Sequence, residues 1–312
     1  MKERLLAAIG RDLSEEEFAA LACEVSLLQR GALPLLDRAG SILPIRGDRP
    51  WKRIPILPAR VFKESRVACF SPREEVAAFR SSGTTGGPGV RPVRDLDLYS
   101  ASVRAGFART FPDAPARRVA LLPSPEEAQN SSLARMAEFL DCAFAEVPPE
   151  GSEPVLLFGT ALGFAKLLSQ GSIRPLAPGS LILETGGYKG ARTEWNREEL
   201  HERLRETSGV MVRSEYGMSE TFSQGYTSGV EPIYRFPPWC RVRVIDPFTL
   251  DDAASGETGL VALYDLANLD TTVGILTEDF GRRAGEENAF EYLGRATGAE
   301  ARGCSLALES LR

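Results

Sequence analysis

"SLILETGGYKGARTEWNREELHERLRETSGVMVRSEYG" (residues 180–217) holds two apolar runs on either side of a charged one. A short apolar run, "SLILE", ends in a Gly-Gly pair. The charged segment "NREELHERLRE" follows with helical spacing and Asn196 as its cap, and a second apolar run, "GVMVRSEYG", closes the stretch. Strand, helix, strand in this order is a βαβ unit, and strands joined through a helix run parallel. Working outward, the alternation continues upstream. "RVALLPS" (118–124) and "PVLLFGT" (154–160) read as strands, while "SSLARMAEFL" (131–140) and "ALGFAKLL" (161–168) read as helices. Ser14 with Glu17 forms a capping-box pattern, and Phe18, Leu21, Ala22 and Val25 recur at helical spacing behind it. A Pro-rich segment spans 41–64, and Leu96, Tyr99, Val103 and Phe107 mark another amphipathic helix. Beyond residue 236 the texture changes: "WCRVRVID", "GLVALYD" and "VGILTEDF" are strands separated by turns, with little helix. The sequence therefore predicts an α/β chain with mostly parallel sheets flanked by helices, plus a β-rich C-terminal subdomain. Its expected organisation is an N-terminal helical and Pro-rich segment (1–75), an α/β core (76–235) and the β-rich part (236–312).

Composition narrows the function classes. The 312 residues are 43% apolar, enough for a substantial core, and carry a net charge of −6 with both signs interspersed. No basic face marks a nucleic-acid binder, so no nucleic-acid partner is expected. No apolar run approaches the ~20 residues of a membrane-spanning helix, and the N-terminus lacks a signal-peptide core, so neither a membrane nor export is expected. Five dispersed cysteines without a CxxC pair fit a reducing, cytoplasmic setting and give no zinc pattern. The single histidine, His201, argues against a Ser-His-Asp hydrolase and reads as a solvated residue on a charged helix.

In an open parallel sheet, ligands bind beyond the carboxyl ends of the strands. "TGG" after "LILE" and "SEYGMSE" after "VMVR" fall at such positions, and "RSSGTTGG" (80–87) precedes a helix. Glycines allow backbone N–H groups to turn toward one anion, and hydroxyls add donors. Composition alone leaves loop and phosphate cradle nearly balanced, and no G-K-[ST] follows to make a Walker loop.

"SSGTTGG" resembles the phosphate-binding loop of the adenylate-forming superfamily, which includes acyl-CoA ligases, luciferase-like enzymes and peptide-synthetase adenylation domains. "YGMSE" (216–220), "TEDFG" (277–281) and "FEYLGR" (290–295) are similar to its later motifs, in the right order. Over roughly residues 50–310, "IPILPARVFKE", "LLPSPEEAQNSSLARM", "GGYKG" and "GRATGAEARGCSL" resemble the branch of LuxE acyl-protein synthetases and phenylacetate-CoA ligases. The resemblance implies ATP and Mg²⁺, a carboxylic acid substrate, and a thiol acceptor on a protein (a reductase or carrier protein) or on CoA. It assigns Ser81, Ser82, Gly83, Thr84, Thr85, Gly86 and Gly87 to the β/γ-phosphates and Gly186 and Gly187 to the adenine side. Tyr216 would stack on adenine beside Gly217, Ser219 would donate to the α-phosphate, and Glu220 would ligate Mg²⁺. Asp279 would accept the ribose hydroxyls, Arg295 would support ribose or phosphates, and Cys304 would carry the acyl group.

The chemistry needs these residue types. A carboxylate is a poor electrophile, and attaching AMP turns its oxygen into a leaving group. The protein must therefore hold a triphosphate, neutralise it and align the acid with the α-phosphorus. Two departures stand out. The lysine that usually follows the Thr-Gly pair is missing, Gly89 occupying that neighbourhood, so either Arg91 substitutes as the cation or the loop binds phosphate less tightly. The sequence ends at Arg312 with no lysine beyond Lys189, so the small C-terminal domain and its catalytic lysine are expected to be absent. Two further readings stay open: a ligase delivering to CoA or a carrier protein without self-acylation, and a degenerate nucleotide-binding scaffold.

Overall fold

The computed structural model describes residues 1–42, 47–81, 87–186, 195–229, 231–285 and 288–295. Three helices open the chain: α1 (Lys2–Ala8), α2 (Glu15–Ala32) and α3 (Pro34–Ile42). The capping box on α2 forms as its sequence predicts, Ser14 accepting from the Glu17 N–H and Glu17 from the Ser14 N–H. Strand β1 (Ile56–Pro58), the one-turn helix α4 (Val61–Glu64) and the hairpin β2 (Ala77–Arg80) and β3 (Val90–Val93) come next. Helix α5 (Asp97–Thr110) then leads into β4 (Arg117–Leu121), α6 (Ser132–Phe139), β5 (Ala143–Phe144), β6 (Val155–Thr160), α7 (Ala161–Ser169), β7 (Leu181–Thr185), α8 (Arg197–Ser208) and β8 (Met211–Tyr216). The remainder is β9 (Gly225–Thr227), β10 (Ile233–Arg235), β11 (Cys240–Ile245), β12 (Thr258–Asp265), β13 (Gly274–Arg283) and β14 (Ala289–Arg295).

Apart from the β2–β3 hairpin, the strands form one 12-stranded sheet in the order β11-β12-β13-β14-β10-β9-β8-β7-β6-β4-β5, with β1 joined to β13. Strands β5, β4, β6, β7 and β8 are parallel. From β8 onward the neighbours alternate antiparallel, β1 alone adding in parallel to β13. The sheet thus changes from parallel to antiparallel at β8–β9, and it runs unbroken past residue 236.

Parallel strands covered on both faces read as continuous apolar runs, and here the two faces separate cleanly. Leu156 and Phe158 of β6 and Leu181 and Leu183 of β7 join a core with α2, α5 and α6. Val155 and Leu157 of β6 and Ile182 of β7 point the other way, into a core closed by Phe164 of α7 and Leu200 and Leu204 of α8. Each fully buried leucine of this kind contributes roughly 1.5–3 kcal/mol. Among the described residues, no single helix is long and apolar enough to cross a membrane.

Candidate active site

The loop around residues 82–86 lies outside the described residues, but its stem is clear. Ser81 N donates to Gly89 O at 2.9 Å, and Gly89 N donates to Ser81 Oγ at 2.8 Å. Gly87 sits at φ +88°, in the left-handed region that glycine occupies without a steric penalty. A Cβ on Gly89 would lie 3.1 Å from Ser81 Oγ, 3.2 Å from Glu220 Oε1 and 3.5 Å from Lys63 Cγ. The stem of the Gly/Ser/Thr loop and the carboxylate of the "YGMSE" motif therefore meet at one point, although more than a hundred residues of chain separate them.

Glu220 is 6% exposed. Burial pushes its carboxyl above the usual range, opposed by its own backbone N–H, by the Ser219 hydroxyl donating at 3.2 Å, and by the Arg91 charge. Its backbone is fixed from behind by a buried polar network. Asn268 Nδ2 donates to the Glu220 carbonyl at 3.2 Å, and the Phe222 and Ser223 N–H groups both donate to Asp265 Oδ2 at 2.9 Å.

Arg91 belongs to this network rather than to the loop surface. It is 1% exposed, its Nη2 donates to Asn268 Oδ1 at 2.9 Å, and its guanidinium lies 3.5 Å from the Phe222 ring centroid. Burial lowers its pKa to about 10. The expectation that Arg91 reaches a phosphate as the loop's cation is not met in this arrangement, because strand alternation in β3 turns its side chain into the core.

At the other end of the site, Tyr216 Oη donates to Asp279 Oδ2 at 2.6 Å, and the Tyr216 ring packs among Tyr234, Phe236, Phe290 and Tyr292. Gly217 follows directly, and a side chain there would collide with Glu215 Oε1. Asp279 lies opposite Arg295 in the β13–β14 ladder, beside an irregularity at Phe280/Gly281 of the kind that re-aims side chains. Arg295 Nη2 donates to Glu278 Oε2 at 2.6 Å. Burial raises the Asp279 carboxyl, while Tyr216 and the Arg295 charge pull it down. Gly186 turns at φ +71° just past β7, and its carbonyl accepts from Arg197 Nη2.

The described candidates Ser81, Gly87, Gly186, Tyr216, Gly217, Ser219, Glu220, Asp279 and Arg295 thus come from five segments: the stem of the loop, the turn after β7, the end of β8 with the residues that follow, the middle of β13 and the end of β14. Ser82, Gly83, Thr84, Thr85, Gly86, Gly187 and Cys304 lie outside the described residues. Arg197, not singled out by the sequence, joins them: besides the Gly186 carbonyl it also donates to Tyr234 Oη. Its place one residue after the Asn196 cap, in the helix that crosses back over the carboxyl end of β7, was the available signal. Lys63 was not singled out either.

His201 corrects its sequence reading. It is 9% exposed, not solvated, with Nε2 at 3.2 Å from Glu184 Oε2 and 3.3 Å from Ser214 Oγ. Both partners meet the same ring nitrogen, whereas a hydrolase relay uses opposite nitrogens, so a Ser-His-acid triad is not formed here. The described cysteines are held as thiols: burial pushes Cys69 and Cys142 up to about 12, and raises Cys23 and Cys240 as well.

No protein-family model matches the chain, and no curated protein matches it significantly. Solved structures do match in fold. An open conformation of 2-hydroxyisobutyryl-CoA ligase, in complex with 2-HIB-AMP and CoA, aligns with a TM-score of 0.64 at 14% identity, covering 90% of this chain and 69% of that one. The same ligase in its postadenylation state with 2-HIB-AMP aligns at 0.61 and 15% identity, covering 90% and 67%. ATP-bound MatB from Rhodopseudomonas palustris aligns at 0.55 and 17% identity, covering 71% of this chain and 48% of that one. The shared property is the fold. The chain spans about half the length of that MatB.

Proposed function

We propose that the protein adenylates a carboxylic acid with ATP and then passes the acyl group to a thiol, in the manner of the LuxE-type acyl-protein synthetases. The observation that carries this reading is that the Tyr216–Glu220 segment touches both other motifs, Glu220 standing beside Ser81 and Gly89 at the loop stem and Tyr216 donating to Asp279 of the β13–β14 pair. In the proposed reaction, a carboxylate oxygen attacks the α-phosphorus, the bond to the β-phosphate oxygen breaks, and pyrophosphate leaves. Ser81 with Gly87, and by resemblance Ser82, Gly83, Thr84, Thr85 and Gly86, would hold the β/γ-phosphates. Ser219 would donate to the α-phosphate. Tyr216, with Gly186, Gly187 and Gly217, would form the adenine side, and Asp279 with Arg295 would hold the ribose.

Glu220 fits a magnesium ligand. It is a hard oxygen donor whose burial makes its own charge costly until a cation arrives, and one carboxylate shared with substrate phosphates suits this ion. Bound there, Mg²⁺ would neutralise phosphate charge. Among the described residues, no three His, Cys, Asp or Glu gather into a metal cage, so the phosphates would supply the remaining ligands.

The acceptor thiol divides the reading. Cys304 is the acyl carrier that the LuxE resemblance suggests, whereas the CoA bound to 2-hydroxyisobutyryl-CoA ligase favours direct delivery to CoA. Incubating the protein with ATP and a panel of carboxylic acids tests the first half-reaction through acid-dependent pyrophosphate release. A labelled acid that stays covalently bound to the Cys304→Ala variant would remove that cysteine from the pathway and point to another nucleophile on the protein, whereas no covalent label on the wild type would leave CoA or a carrier thiol as the acceptor.

A further inference from the structure

With Arg91 committed to the core, the triphosphate site needs another cation. Of the four lysines among the described residues, Lys2 is held by Asp95 and Asp97 at 3.0 and 2.6 Å, and Lys52 by Asp48 and Asp252 at 2.9 and 2.8 Å. Lys166 is exposed on α7. Lys63 differs from all three. It is partly buried, its stem stands against Gly89 beside Ser81 and Glu220, and among the described residues no hydrogen bond or ion pair engages its ammonium.

Its position is rigid. Strand β1 pairs with β13 at Ile56↔Gly274, Leu57↔Ile275 and Pro58↔Leu276, and Ala59 N extends the link to Leu276 O at 2.9 Å. Val61 and Phe62 of α4 bury themselves against Leu57 and Ile275, in a cluster that also takes in Met218 of the "YGMSE" segment. The helical turn therefore hangs from the strand that carries Asp279 and packs on the segment that carries Glu220, which leaves Lys63 facing the loop stem. The backbone at Gly89 is where the Lys63 stem, the Ser81 hydroxyl and the Glu220 carboxylate come together.

We infer that Lys63 is the phosphate-binding cation of this site, contacting the β/γ-phosphates of ATP from α4 in place of a lysine on the loop itself. The inference rests on the adenylation reading and deepens it. A lysine is a point charge on a flexible stem, suited to the spread charge of a triphosphate.

The test compares ATP and AMP binding by titration calorimetry in the wild type and in Lys63→Met, Lys63→Arg, Lys63→Met/Gly89→Lys and Arg80→Ala. Loss of a charge-assisted contact predicts ATP affinity weaker by about tenfold to a hundredfold in Lys63→Met, with AMP affinity unchanged. Lys63→Arg keeps the charge and most of the affinity. The double variant, with a lysine restored across the same corner, recovers ATP binding, which no purely structural role for Lys63 would predict. Arg80, exposed one residue before Ser81 and on the alternate face of its strand, serves as the control and leaves ATP binding intact. Wild-type ATP affinity in Lys63→Met, or equal losses for ATP and AMP, overturns the inference while leaving adenylation standing. A wild-type protein that binds neither nucleotide overturns the adenylation reading itself, and this inference with it.

Discussion

The parallel and antiparallel halves of the sheet are stabilised differently. In the parallel half, β6 and β7 bury aliphatic side chains on both faces, and their buried polar groups gather at the carboxyl end, where Glu184, Thr185, His201, Ser214 and Glu215 lie together. In the antiparallel half, polar groups run through the interior. Arg243 is 3% exposed and donates to Asp252, while Asp265, at 0%, accepts from three backbone N–H groups and a serine. One half is a scaffold held by the hydrophobic effect, and the other adds buried hydrogen bonds around Asp265 and Asp252 to its apolar core, which fix geometry more narrowly than apolar contact does. The candidate site lies where the two meet, between the end of β8 and the middle of β13.

The largest expected effect tests the site side of this contrast. Glu220→Gln removes the buried carboxylate but keeps its shape, so acid-dependent pyrophosphate release falls by about a hundredfold or more. The fold does not suffer, because burial already disfavours the charge, and the melting temperature stays level or rises. A parallel loss of activity and stability would mean that Glu220 is structural.

Glu215 sharpens the comparison through pH. Burial and the neighbouring Glu184 charge raise its carboxyl to about 7, against hydrogen bonding from Thr185 and the Arg197 charge. The folded state therefore holds a proton that the unfolded state releases above its own pKa near 4.5. Stability is full below about pH 4.5 and declines by about 3 kcal/mol as pH rises to about 7. Denaturant titrations of Glu215→Gln across this window should show the decline removed; an unchanged pH dependence would place its source elsewhere.

Tyr216→Phe deletes the hydroxyl that donates to Asp279 and leaves the ring in its aromatic nest. A loss of about tenfold in activity, expressed mainly in KM for ATP, is expected for one hydrogen bond to a charged group. The smallest effect belongs to the parallel half. Asn196→Ala removes the capping box of α8 and costs about 1 kcal/mol in chemical denaturation, with only a minor change in activity through Arg197.

How much was legible in the sequence follows the same division. Strands β4, β6, β7 and β8 could be read because two-sided burial writes itself as an apolar run, and the caps at Ser14 and Asn196 because an Asx or Ser side chain with Glu three residues on has few other uses. The short strands β9 and β10 carry three residues each, too few to show a period. Arg91 was read as a phosphate cation from its nearness to the loop and His201 as solvated from its charged helix, and only tertiary structure reveals buried partners such as Asn268 and Glu184. Lys63 escaped notice because its neighbour Gly89 is 26 positions away, and only the tertiary fold brings the two together.

In the proposed reading, the loop stem, Glu220 and Asp279 form a single acid-adenylating site. Acid-dependent exchange of labelled pyrophosphate into ATP measures that most directly, since it needs reversible acyl-AMP formation and no thiol acceptor. Exchange that appears with at least one acid from a broad panel and collapses in Glu220→Gln is the predicted result. ATP binding without exchange on any acid would contradict the account and leave a nucleotide-binding scaffold in its place.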